Sequence, residues 1–167
     1  MGRGSGGNVA NSASKKKAAT AKAKKQEASI KQGLTTAREN FILTLKGELL
    51  PGKAGSYANK YIIDAANDVD DALKMVESVK SVSDVNGVQS AVYSRATKAA
   101  AKLDDMAKTM EANADDATNA AVRKTYNKAA TALRMASFGI RTQVKSTYAN
   151  KELSQLEDLF KSQKKWL

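Results

Sequence analysis

The chain has 167 residues with 28 basic and 17 acidic side chains, a net charge of +11, and neither Cys nor His. Those absences exclude a disulfide scaffold, a Cys/His zinc centre, a Cys nucleophile and a His-based triad. Twenty-nine residues are alanine, aromatics make up only 5 %, and there is a single proline, which favours thin helix-on-helix packing over a loop-rich β fold.

Charge is uneven along the chain. Residues 1–31 carry eight basic side chains and one acid, a net of +7; residues 32–122 carry −3; residues 123–167 carry +7. A mildly acidic middle therefore lies between two basic ends. The first dozen residues hold four glycines and almost no large apolar group, so they are expected to be disordered in an isolated monomer. Residues 13–25 become Lys and Ala, good helix formers without an apolar face, expected to turn helical on a partner. Residues 1–29 thus read as a basic tail and 30–167 as an α-helical domain. The start lacks the apolar stretch of a secretory signal. No apolar run reaches the roughly 18 to 20 residues of a membrane-spanning helix.

Helical periodicity begins at Ile30 and continues through Leu34, Ala37, Phe41, Leu45 and Leu49, with Gly47 and Pro51-Gly52 as the stop. Ser56 is a plausible cap for a second helix, whose stripe is Ile62, Ala65, Val69, Ala72, Val76 and Val79. Asp64, Asp68 and Asp71 fall on other faces. A stop is expected at residues 84–87, where Gly87 suits a left-handed turn. The third stripe is Val88, Val92, Ala96, Ala99, Leu103, Met106 and Met110, and residues 113–116 offer the next N-cap. The fourth is Val122, Tyr126, Ala129, Leu133, Ala136, Ile140 and Val144. Asn150 then caps a short fifth helix with Leu153, Leu156, Leu159 and Phe160. The fold class is all-α, a bundle of four main amphipathic helices plus a short C-terminal one. Alanine in the seams brings helix axes close but gives a modest hydrophobic return. Self-association burying Phe41, Ile42, Ile63, Phe138 and Trp166 is therefore expected.

Catalysis is not expected. The carboxylate pairs Asp70-Asp71, Asp104-Asp105 and Asp115-Asp116 are adjacent in sequence. On a helix such neighbours diverge by about 100° instead of converging on a substrate. No phosphate-binding Gly-x-x-x-x-Gly-Lys motif occurs, and no metal, cofactor or small-molecule substrate is expected.

Binding signals lie in the basic ends. Arg3, Lys15, Lys16, Lys17, Lys22, Lys24 and Lys25 form a lysine-rich stretch without aromatics, suited to neutralising a DNA backbone without reading sequence. It resembles the Lys/Ala tails of linker histones and bacterial nucleoid proteins. Arg134, Arg141 and Lys145 stand seven and four residues apart in line on one helix face, with Lys124 and Lys128 nearby. They are candidates for contact with nucleic acid or another anionic partner. Phe160, Lys164, Lys165, Trp166 and Leu167 combine apolar and cationic side chains, a candidate interface or membrane-surface anchor.

The Gly-rich start, the Lys/Ala stretch of residues 13–25 and the Ala-rich amphipathic stripes together make the chain resemble the small internal virion proteins of short-tailed bacteriophages. These are the ejection proteins. The resemblance implies storage in the capsid interior or tail among other virion proteins, self-association into rings or tubes, and reassembly at the host envelope. The alternative is a cytoplasmic, nucleoid-associated protein that holds DNA through its basic tail and C-terminal face.

Overall fold

The structure, a computed structural model, describes residues 2–144 and 151–163, with side chains for Lys15 and from Lys17 onward. Five α-helices follow one another: α1 (Gly2–Lys46), α2 (Gly52–Lys74), α3 (Val82–Asp116), α4 (Ala120–Val144) and α5 (Glu152–Gln163). There is no strand among the described residues, as the near-3.6 periodicity requires. A short 3-10 turn, Met75–Ser78, continues α2.

Helices α2, α3 and α4 form the centre, α1 packs on α2, α4 and α5, and α5 lies against α1 and α3. Helices α1 and α2 run antiparallel, as do α3 and α4. Arg134 and Arg141 of α4 pair with Glu111 and Asp104 of α3. Arg38 and Lys31 of α1 meet Asp70 and Val79 of the α2 region. The core follows the predicted stripes closely. Leu34, Phe41 and Leu45 are buried, as are all six residues of the second stripe, from Ile62 to Val79. Val92, Ala99, Leu103, Leu133, Ala136 and Ile140 join them, with Leu153, Leu156 and Phe160 from α5. Val122 departs from its stripe and is exposed, because it lies in the first turn of α4 beyond the facing helix.

Helix α1 is one continuous element from Gly2 across the 29/30 boundary to Lys46. The packed half, from Ile30 onward, supplies the nucleus. Adding residues to an existing helix costs no second nucleation, so α1 continues through residues 13–25, expected to need a partner, and through residues 2–12, expected to be disordered.

Three helix ends differ from the sequence expectation. Ser56 lies inside α2 and donates to the Lys53 carbonyl (2.6 Å); Pro51 occupies the N-cap and Gly52, at φ 67°, turns the chain into the helix. Residues 84–87 lie within α3, whose cap is Ser81. The Ser81 hydroxyl accepts from Asp84 N (3.1 Å), and the Asp84 carboxylate accepts from Lys80 N (3.0 Å), a variant of the capping box whose return bond falls on the residue before the cap. Residues 113–116 end α3, and Asn119 caps α4 by accepting from Ala121 N (2.8 Å) and Val122 N (3.3 Å). Asn150, Trp166 and Leu167 lie outside the described residues.

The α1–α2 connection is held by a reciprocal pair. Leu50 N donates to Asn59 Oδ1 (2.9 Å), and Asn59 Nδ2 donates to the Leu50 carbonyl (2.8 Å). Gly55 lies so close beneath that carbonyl that a Cβ would strike it. Beside it, Tyr57 of α2 stacks on Tyr126 of α4 with ring centroids 4.6 Å apart.

Candidate interaction site

The basic arm is the first of two exposed features. Lys15, Lys17, Lys22, Lys24 and Lys25 are all exposed along α1 before its packed half, and none pairs with a described carboxylate. Glu27 is the first acid in the chain, and it is bound to Lys31 (3.1 Å). Arg3 and Lys16 lie on the same helix, their side chains outside the described residues. The arm is thus a rod of unneutralised positive charge, with the small Ala18 and Ala21 exposed among the lysines.

The C-terminal basic line is arranged differently from the arm. Arg134 Nε and Nη2 donate to the two Glu111 carboxylate oxygens at 2.6 and 3.0 Å. Arg141 Nη2 donates to Asp104 at 2.8 Å. The hydrogen bond from Arg134 lowers the Glu111 carboxyl below its ordinary range, and Glu111 raises the Arg134 guanidinium in turn. These arginines therefore brace α4 on α3. Lys145, the third member, lies outside the described residues, as do Lys164, Lys165, Trp166 and Leu167. Phe160, expected as a surface anchor, is buried in the core. It stands four and seven residues after Leu156 and Leu153, on their face of α5, and is a packing residue.

Exposed apolar side chains form the second feature. Leu43 is 65 % exposed, Phe138 63 % and Met135 49 %. Leu43 lies on α1, and Met135 and Phe138 on α4, the two helices that meet where Gln143 Nε2 donates to Thr44 Oγ1 at 3.0 Å and a Cβ on Gly139 would touch Thr44 and Leu45 at 3.9 Å. Leu43 and Phe138 are the chain neighbours of that contact. Of the side chains expected to be left for association, Phe138 and Ile63 are exposed. Phe41 is in the core and Ile42 packs against it, since both fall on the inward half of α1. Leu43 and Met135 belong to none of the apolar stripes that the sequence shows. Their signal is that they are large apolar residues off their own helix stripes.

No arrangement of catalytic groups emerges among the described residues. Asp70 and Asp104 are tied to arginines, while Asp71, Asp105, Asp115 and Asp116 point to solvent. Asp115 and Asp116 sit at the C-terminal end of α3, away from the helix N-terminus expected for them. Among the described residues no group of three acidic side chains is placed to hold a metal ion. Among the described residues no helix is long and apolar enough to cross a membrane. An open groove of about 610 Å³ lies between the α1–α2 connection and α4, lined by Leu50, Arg123, Lys124, Asn127 and Lys128. Comparison with known families, curated proteins and solved structures finds no match for this chain.

Proposed function

We propose that this chain is a non-enzymatic structural subunit of a larger assembly, of the ejection-protein kind, that self-associates inside a phage particle and helps deliver the genome across the host envelope. The observation that carries the reading is the exposure of the large apolar side chains Leu43, Met135 and Phe138 on α1 and α4, two helices that pack on each other. Large apolar side chains left outside a core point to a surface made to be covered. An alanine-built bundle suits passage through a narrow channel, because few large side chains must be extracted and repacked. Size-exclusion chromatography with light scattering, followed by negative-stain imaging with and without anionic vesicles, tests it. Rings or tubes are the expected result; a 17.8 kDa monomer indifferent to lipid overturns it.

A second reading is favoured by the five exposed lysines of the arm: a nucleoid-type protein that holds DNA without sequence preference. Five to six phosphate contacts give a log–log salt slope near about −5. Retention of DNA that lacks this slope, or that survives removal of residues 1–29, defeats it.

A further inference from the structure

The arm carries unneutralised positive charge, and α2 carries an unpartnered face of the opposite sign. Tyr61, Asp64, Asp68, Asp71 and Met75 recur at steps of three and four along α2 and its following turn, and all five are exposed. None of the three aspartates pairs with a cation among the described residues; Asp70, one residue before Asp71, takes both Arg38 and Lys74. The face is therefore a line of free carboxylates with an apolar side chain at each end.

The spacings match. Asp64 and Asp71 are seven residues apart, and so are Lys15 and Lys22, and Lys17 and Lys24. At 1.5 Å per residue each span is about 10 Å, so two helices lying side by side bring both ends of the line into register. Ala18 and Ala21, small and exposed, let the axes approach.

The two features cannot meet within one chain. Arg38 fixes α1 against Asp70, and Lys25 lies thirteen residues further toward the N-terminus, about 20 Å along the axis. Lys31 is already level with Val79, past the end of α2, so the arm runs beyond the helix that carries its complement.

We propose that the basic arm of one copy docks along the Asp64–Asp68–Asp71 face of α2 in a second copy. The contact is heterologous, since two different surfaces of the chain meet in it. This inference rests on the assembly reading and gives that assembly a polarity; the exposed apolar side chains of α1 and α4 belong to a separate surface.

Two variants and their mixture test it. One carries Asp64→Lys, Asp68→Lys and Asp71→Lys; the other carries Lys17→Glu, Lys22→Glu and Lys24→Glu. All six positions are exposed, and circular dichroism checks that each variant stays helical. Like charges across the contact are expected to weaken self-association of each variant at least about tenfold, measured by sedimentation equilibrium. Mixing the variants pairs reversed arms with reversed faces, and original arms with original faces, so association returns. Variants that assemble as the wild type does, or a mixture as dissociated as its parts, overturn the docking and leave the assembly reading standing. A wild-type chain that stays monomeric overturns both. An arm variant that loses DNA retention while its assembly is unchanged assigns the arm to nucleic acid and overturns the docking.

Discussion

Arg38 on α1 grips the Asp70 carboxylate on α2 through Nε at 2.6 Å and Nη2 at 3.3 Å. This bidentate pair, helped by Lys74 at 3.5 Å, fixes the long first helix to the bundle at the point where its packed half begins to meet α2. Burial pushes the Asp70 carboxyl up, but the hydrogen bond and charge of Arg38 and the charge of Lys74 together outweigh it. The group is held below its ordinary 3.8. A carboxyl lowered by folding adds stability above its unfolded value, and that stability is lost as pH falls through the folded value.

Asp70→Asn should therefore cost about 1 kcal/mol at neutral pH, the upper end for a pair that water still reaches. The difference from wild type should shrink as pH is taken below 3.8. Urea unfolding at a series of pH values measures it. A difference that does not shrink as the pH falls below 3.8 contradicts the role given to the pair.

Two glycines should respond oppositely to alanine. Gly87 lies inside α3 and a Cβ there meets nothing within 4 Å. Gly87→Ala is thus expected to stabilise by about 0.5–1 kcal/mol. Gly55 sits under the Leu50 carbonyl, and its Cβ would also come within 2.7 Å of Asn59 Nδ2. Gly55→Ala should push the connection away, break the Leu50–Asn59 pair and cost about 1–3 kcal/mol. Thermal melting reads both, at roughly 2–4 °C per kcal/mol for a chain of this size. Destabilisation by Gly87→Ala would place that residue in a turn.

The helix caps give a sharper contrast. Ser81→Ala and Asn119→Ala each remove a side chain that accepts from the first turn of a helix, and each should cost about 1 kcal/mol. Ser56→Ala removes only a bond from an exposed hydroxyl back to the preceding turn, so its effect should stay within about 0.5 kcal/mol. Denaturant midpoints for the three variants separate the two groups.

The positions of those caps show what could be read from the chain and what could not. The apolar stripes were legible, because a period near 3.6 imposes itself on every buried face, and Ile62 to Val79 lie buried as their spacing requires. Boundaries were harder. Gly87 and its neighbours carry turn chemistry locally, yet the Ser81 cap lies just upstream and carries the helix through them, while residues 113–116 end a helix where they were expected to start one. The partners of Arg134 and Arg141 were hidden for another reason. Glu111 and Asp104 are 23 and 37 residues away, and only the antiparallel register of α3 and α4 brings them opposite. A line of cations on one helix looks free until its neighbour is placed.

Leu133 and Phe138 separate packing from association. Leu133 is fully buried at the centre of α4, whereas Phe138, five residues on, is 63 % exposed. Truncating Leu133 to alanine removes buried methyl groups and leaves a cavity among alanines that have little side chain to refill it. A loss of about 2–5 kcal/mol is expected. Phe138→Ala removes surface that already meets water, and monomer stability should change by less than about 0.5 kcal/mol. If the exposed apolar side chains form an assembly surface, the same substitution should weaken self-association, because a large aromatic is lost from a contact where such side chains dominate the energy. Denaturant melts at low concentration report the first quantity and light scattering at high concentration the second. A Phe138→Ala chain that assembles as the wild type does would move the contact elsewhere on the bundle.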